Sequence, residues 1–430
     1  MRFVTPCEEE LSCLRGDPLL VEQELDVRPE VAEAVEKAAG FRAGRLWWRS
    51  EHDHLYALEL GDLGRGRPST ATLYGFWDRF EPRPPEHEID ADLLAACEWI
   101  AGLSPSMNVS DIARVAEHAR IPTGWGEGSV LRTPEERFAN LPGFPYAARS
   151  VEVEGLRIAY VEHGAGAPIL MLHGEPTWGY LYRHMIGPLA RLGRALVPDL
   201  VGFGRSDKPA AANAYSIRSH VRWLGGFIRK LDLGDITLVC QDWGGSLGLR
   251  LLAEMPERFG RLVAMNTGIS DGRARGEAFL RWRRFSQRAR SLDVGRLMRR
   301  TLAAGRLSDE EAAAYNAPFP SSEYQTAALV FPRLVPIRSD HPGAYDNRVA
   351  IERLRALDLP VLLIWGAEDA ITRSGEAHLR SIFRNVAPPV SIAGAGHFIQ
   401  EDAGEEVAAR VADWMKATPR SPRATARPDL

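Results

Sequence analysis

From residue 149 onward the chain alternates short β-rich runs with helical patterns, and this alternation constrains its fold more than any other feature. The runs are VEVEG, LRIAYVEHG, APILMLHG, RALVPDL, ITLVCQ, RLVAMN, PVLLIWG and PVSIAG, eight in all. Each is rich in Val, Ile and Leu and of strand length. Helix-like stretches lie between them at 180–192, 217–231, 245–255 (stopped by Pro256) and 405–416. Strands alternating with helices build a mostly parallel sheet wrapped on both faces, so an α/β fold with an eight-stranded sheet is expected. The alternation breaks once. Between residues 268 and 357 no strand pattern appears; the segment is Arg-rich and helical, with turn breaks at Ala317-Pro318-Phe319-Pro320 and Asp340-His341-Pro342. An insertion of this length reads as a helical cap, residues 268–350, over the sheet's carboxyl edge, where open α/β folds bind ligands.

A chain of 430 residues exceeds what a single core usually supports, since cores stop growing near ~250–300 residues. The surplus lies before residue 129. There, 19–40, 92–103 and 109–119 have helical patterns, while 45–59 and 70–80 look like two strands joined by GDLGRG, which suggests a small N-terminal α+β domain over 1–128. IPTGWGEG reads as the linker to a core of 129–267 and 351–417, and residues 418–430 as a disordered tail. Charge divides at the same place. Residues 1–130 carry 24 acidic against 13 basic side chains, net −11, which leaves +7 for the remainder within an overall −4. The contrast offers a weak reason for the modules to dock, or for the N-terminal domain to mediate self-association. It does not point to nucleic acid, because the one dense arginine cluster, 281–300, is interleaved with Phe285, Leu292 and Leu297 and reads as a solvated helix face.

Other classes are excluded more simply. No apolar run approaches the ~20 residues that span a bilayer. Three glutamates follow Cys7 where a signal peptide would need apolar residues, so the cytoplasm is the expected location. The four cysteines show no C-x-x-C pairing and read as reduced thiols. His52, His54 and His87 fit a polar loop better than a metal site, and GDLGRGRP lacks the strand-to-helix setting of a phosphate loop.

The strongest chemical signal is ITLVCQDWGG, residues 236–245: an apolar run, then Asp242 between the small residues Cys240 and Gly244, then a helix. This is the nucleophile-elbow pattern with aspartate where esterases carry serine. Small neighbours let the strand turn sharply and push the central side chain out of the sheet. Taken alone, Asp242 could equally cap the helix. Chain order shifts the balance, because this fold follows its nucleophile with an acid at a later strand end and then a histidine. WGAEDAI supplies Glu368 and Asp369 after the seventh run, and AGAGHFIQED supplies His397 after the eighth. Earlier, MLHGEPTWGY places His173-Gly174-Glu175 where an oxyanion-hole loop would offer backbone N–H groups.

Together HGEPTW, GFGRSDKP, QDWGG, the APFP of the cap and AGHF-x-QE resemble the haloalkane dehalogenases, specifically their first subfamily, over residues 130–417. The resemblance implies an α/β-hydrolase fold with a cap and hydrolysis of carbon–halogen bonds to alcohol, halide and a proton. It implies Asp242 as nucleophile, His397 as base and Asp369 as the acid orienting it, with Glu368 a weaker competitor; Asn266, after the sixth run, fits the lack of an acid there. It implies an oxyanion hole from the amides of Glu175 and Trp243. The departing halide would lie between the indole N–H groups of Trp243 and Trp282, with Phe279 lining the pocket one turn before Trp282. The lesser alternative for Trp282 is a packing aromatic on a helix. No cofactor or metal is implied, and the partners expected are a small halogenated aliphatic substrate and a halide ion.

The chemistry suits those residue types. An aspartate carboxylate is anionic at neutral pH, so it can displace halide from an sp³ carbon where a serine would first have to lose a proton. Two rivals stay open. An epoxide hydrolase shares this set but needs cap tyrosines to protonate the opening ring, and the cap holds Tyr315, Tyr324 and Tyr345. A non-catalytic ligand-binding protein on the same fold is the other; an intact acid, base and nucleophile argues against it.

Overall fold

Each of the eight β-rich runs becomes a strand of one sheet: β1 Ala148–Val153, β2 Leu156–His163, β3 Pro168–Leu172, β4 Arg194–Pro198, β5 Ile236–Gln241, β6 Phe259–Met265, β7 Val361–Gly366 and β8 Val390–Ile392. The computed structural model describes residues 130–419 except 274–275, 304–306 and 338–341, together with four short strands before them. Two units divide the chain, Met1–Glu127 and Gly128–Leu430. Strand order in the sheet is β8-β7-β6-β5-β3-β4-β2-β1. Only β2 runs against its neighbours, β1 and β4; the other pairs are parallel. Strands β5, β6 and β7 are buried along their whole length, which is why their sequences are continuous apolar runs without alternation. Edge strand β1 is mostly exposed.

Topology fixes where a site can form. After β3 the chain moves to β4 on one side, and after β5 to β6 on the other, so the order reverses between β3 and β5. The loops leaving those two strands diverge and open a crevice at their carboxyl ends, the usual ligand position in open α/β sheets. Flanking helices are α1 Arg183–Ala190, α2 Ile217–Lys230 and α3 Asp242–Glu254. Ser216 starts α2 with a reciprocal capping box to Ser219.

The strand-free segment is helical, as its pattern predicts: α4 Glu277–Arg288, α5 Val294–Thr301, α6 Asp309–Asn316, α7 Thr326–Leu334 and α8 Pro342–Ala356. The last of these turns back to the core, packing on α3 with Arg250 Nη1 donating to Asn347 Oδ1 at 3.1 Å. Two further core helices follow, α9 Gly375–Ile382 and α10 Ile399–Ala417. The APFP turn fastens the cap to the first residues of this unit: Thr133 Oγ1 donates to Pro318 O at 2.7 Å and Arg137 Nε to Ala317 O at 2.7 Å. A buried clasp joins cap to core elsewhere. Arg183 of α1 forks onto Glu401 of α10 and reaches Glu311 of α6 at 3.0 Å, while Tyr315 Oη donates to Glu401 at 2.5 Å.

In the first unit, Leu20–Glu24, Ala43–Arg49, Leu55–Leu60 and Ser69–Tyr74 form an antiparallel sheet in that order. This corrects two expectations. Residues 45–59 are two paired strands instead of one, and the start of the helical pattern at 19–40 is a strand, because pairing with Ala43–Arg49 supplies backbone partners that local spacing cannot reveal. The remaining N-terminal expectations, including His52, His54, His87, the helices at 92–103 and 109–119 and the tail beyond residue 419, lie outside the described residues.

Candidate active site

Asp242 is the first residue of α3 and adopts φ +50°, a left-handed conformation costly for any residue with a Cβ. The surroundings hold it there: its N–H donates to Asn266 O at 3.1 Å and its carbonyl accepts from Thr267 Oγ1 at 2.6 Å. The turn is also tight. A Cβ on Gly244 would overlap the Leu172 carbonyl, so the helix can approach β3 only with glycine at that position.

The sharp turn lifts the Asp242 carboxylate above the sheet edge into the crevice between β3 and β5. Its Oδ1 accepts the backbone N–H of Glu175 at 2.9 Å, and its Oδ2 lies 3.3 Å from His397 Nε2. Gly174 allows this approach, since a Cβ there would strike the Asp242 carboxyl group. On the far side of the imidazole, His397 Nδ1 meets Asp369 Oδ1 at 3.2 Å and Oδ2 at 3.3 Å. Asp369 is 1% exposed whereas the neighbouring Glu368 points to solvent, and of the two only Asp369 reaches the histidine. Asp369 is itself held by Thr372 Oγ1 and by the N–H groups of Ile371 at 2.8 Å and Thr372 at 3.2 Å.

The histidine loop is braced from β5 and β6. Gln241 Nε2 donates to His397 O at 3.0 Å, and Asn266 Nδ2 donates to both His397 O and Gly396 O at 2.8 Å. Asn266 Oδ1 takes the N–H of Gly366 at 2.9 Å, tying the ends of β6, β7 and β8 together. Gln241, Thr267, Thr372 and these uses of Asn266 do not emerge from sequence patterns. Gln241 lies inside the QDWGG signature, which is the only signal that could have singled it out.

Electrostatics follow from this packing. Burial alone would lower the His397 pKa, but Asp369 and Asp242 outweigh it and raise it to about 10. Burial would raise Asp369, yet the His397 charge and the hydrogen bonds from His397, Thr372 and Ile371 bring it down to about 2. The imidazole between two carboxylates therefore holds its proton at neutral pH. Glu175 behaves oppositely: burial and then the Asp242 charge push its carboxyl well above the usual range. His173 is buried, with Nε2 accepting the Leu200 N–H at 2.9 Å; burial lowers its pKa and leaves it neutral. Its Nδ1 lies 3.0 Å from the Gly174 carbonyl, so both ring nitrogens are engaged by backbone.

Trp243 is buried next to Asp242 with its ring against Phe331, centroids 4.7 Å apart, and its Nε1 has no hydrogen-bond partner among the described residues. Trp282 of α4 reaches the same neighbourhood, but its N–H is engaged, donating to Glu175 Oε2 at 3.1 Å. Phe279 is buried one turn before it. Of the cap tyrosines, Tyr315 spends its hydroxyl on Glu401 and Tyr324 is half-exposed within the turn Ser322–Gln325, while the side chain of Tyr345 lies outside the described residues.

Residues 167–404 match the α/β hydrolase fold family. The chain is 43% identical over 298 residues to a haloalkane dehalogenase of Mycolicibacterium paratuberculosis, covering 67% of this chain and 99% of that protein. It is 41% identical over 302 residues to one from Psychrobacter cryohalolentis, covering 68% and 99%. Among solved structures, the tetrameric haloalkane dehalogenase DpaA from Paraglaciecola agarilytica superposes with TM-score 0.63 at 39% identity, over 66% of this chain and 97% of that one. The fold, the arrangement at the carboxyl edge and these likenesses agree, and the chain belongs to the haloalkane dehalogenase family of α/β hydrolases.

Proposed function

We propose that the unit Gly128–Leu430 hydrolyses carbon–halogen bonds of small aliphatic substrates by way of an ester on Asp242. The observation that carries this reading is a carboxylate lifted from the β5–α3 turn, with one oxygen on the Glu175 amide and the other beside His397 Nε2. Asp242 Oδ2 attacks the carbon bearing halogen, the carbon–halogen bond breaks, and the halide leaves with both electrons. The indole N–H of Trp243, set in an apolar wall with Phe331, stabilises the charge as it develops, joined by Trp282 from the cap.

Ester formation then changes the histidine. Once alkylated, Asp242 no longer carries the charge that helps raise His397, so the imidazole releases its proton and becomes a base. It takes a proton from water, the hydroxide adds to the Asp242 carbonyl carbon, and the oxyanion on Oδ1 is held by the Glu175 and Trp243 amides. Asp369 keeps the imidazole oriented throughout. Collapse expels the alcohol and regenerates the carboxylate. Purified protein should release bromide from a dibromoalkane, and Asp242→Ala should release none above background. A broad haloalkane panel without halide release would sink the reading.

Among the described residues no helix is long and apolar enough to cross a membrane. We infer a cytoplasmic enzyme, acting on halogenated aliphatic compounds as a detoxifying step. The acidic N-terminal region 1–128 is read as an addition serving self-association or intramolecular docking. Sedimentation and activity of a chain beginning at Val130, beside the full chain, test it: the same number of chains per particle and identical kinetics would remove both roles.

A further inference from the structure

The scheme above uses only the backbone N–H of Glu175, which nearly any residue could provide. Its carboxyl group is left over, and it is unusual. The residue is 5% exposed, and Oε1 is buried with no hydrogen-bond partner among the described residues. Oε2 reaches across 107 positions of sequence to take the indole N–H of Trp282 at 3.1 Å. Trp282 is otherwise loosely held: it is half-buried, and its ring neighbour Phe285 is 53% exposed.

We propose that the Glu175 side chain is the positioning residue for Trp282, seating the cap tryptophan beside Asp242 and yielding its N–H to the departing halide. The inference rests on the reading that Trp282 serves the halide. A donor stabilises developing charge best when it is already in place, and a half-exposed indole on a cap helix would otherwise sample several orientations. One hydrogen bond from the sheet-edge loop removes that freedom.

The protonation state of Glu175 decides whether the N–H can be released. The charged groups facing its carboxyl are Asp242 from α3 and His397 from the loop after β8; Trp282 faces it from α4. Burial and the Asp242 anion both favour the neutral acid. Its proton belongs on Oε1, because Oε2 is already accepting. A neutral carbonyl is a weaker acceptor than a halide anion, so Trp282 can transfer its N–H as charge builds. An ionised Glu175 would bind the indole more strongly and repel the halide.

The test is equilibrium bromide binding by tryptophan-fluorescence quenching, with steady-state hydrolysis of 1,2-dibromoethane, across pH. Glu175→Ala should weaken bromide binding roughly tenfold and lower kcat more than it raises KM. Glu175→Gln keeps a carbonyl acceptor and a donor, and should recover most of both. Bromide affinity should decline toward alkaline pH in the parent protein and less steeply in Glu175→Gln. In a Trp282→Phe background, Glu175→Ala should add nothing, whereas damage from mere repacking would persist there. Bromide binding by Glu175→Ala equal to that of the parent, or an undiminished effect in the Trp282→Phe background, would overturn the assignment. Failure of the parent to bind bromide at any pH would instead overturn the halide reading beneath it.

Discussion

The carboxyl edge of the sheet and the cap hold their site residues by different means. At the sheet edge Asp242 and Asp369 stand on turns that leave the buried strands β5 and β7, His397 stands on the loop after β8, and side chains from adjacent strand ends and turns brace them. Trp282 stands on a cap helix and meets the site through one hydrogen bond. Under the proposed function, rigidity is thus concentrated where bonds would be made and broken, and adjustability at the cap tryptophan proposed to meet the halide. Changes at the edge should abolish steps of the reaction, and changes in the cap should grade them.

The largest effect should come from His397→Gln. Loss of the base should cut steady turnover by roughly 10³-fold or more while sparing ester formation. One equivalent of halide should appear, and the protein mass should rise by the alkyl group. Sustained turnover in that variant would refute the assigned base. The same variant probes stability. The folded pKa of His397, about 10, lies above its ordinary 6.5, so its contribution is complete below about 6.5 and disappears as pH rises through 10. Lys208 acts in the opposite sense, since burial depresses it from 10.5 to about 7 and stability gains as pH rises between those values. The difference between the melting curves of parent and variant isolates the histidine, and it should shrink from pH 6.5 to pH 10. A constant difference would mean that His397 is not charged in the folded protein.

Gly174→Ala attacks the same edge without removing a functional group. Its Cβ would meet the Asp242 carboxyl, which must shift away from the Glu175 amide. Displacement of this size typically costs about 10²-fold in kcat/KM. Circular dichroism melting should show the fold retained. Near-parent kinetics would mean that the loop after β3 gives way and that the amide contact is not demanding.

This division also explains what could be read beforehand. The alternation of runs predicts all eight strands, and QDWGG with its strand predicts Asp242, because each is a local pattern with a local cause. Asp369 and Glu368 are neighbours of like chemistry, and only the path of the chain after β7 decides which is buried against His397. The pattern marks Asn266 only by the acid missing there; its bonds to the carbonyls of Gly396 and His397 span 130 and 131 residues and have no signature. Glu175 and Trp282 each lie in a stretch that carries the family resemblance, yet the bond between them appears only when the cap is folded onto the sheet. In the N-terminal region the same limit worked against the reading, since Leu20–Glu24 is a strand because of what it pairs with.

The smallest effect tests the cap at its clasp to the core. Tyr315→Phe removes the hydroxyl that donates to Glu401, while Arg183 keeps its fork on that carboxylate and its contact with Glu311. Glu401 therefore stays paired, and the cost should be one hydrogen bond, about 1 kcal/mol. For a unit the size of Gly128–Leu430 that lowers the melting temperature by roughly 1–2 °C. Halide release should stay within roughly threefold of the parent, because the clasp fixes the cap through Arg183 even without the tyrosine. The variant also tests whether Tyr315 acts as a proton donor. If a cap tyrosine delivered a proton to an opening ring, its loss would cost general-acid catalysis, roughly 10²–10⁴-fold. Tyr315 cannot serve both Glu401 and a substrate oxygen, so a small thermal shift with turnover preserved is what a clasp predicts and a proton donor does not.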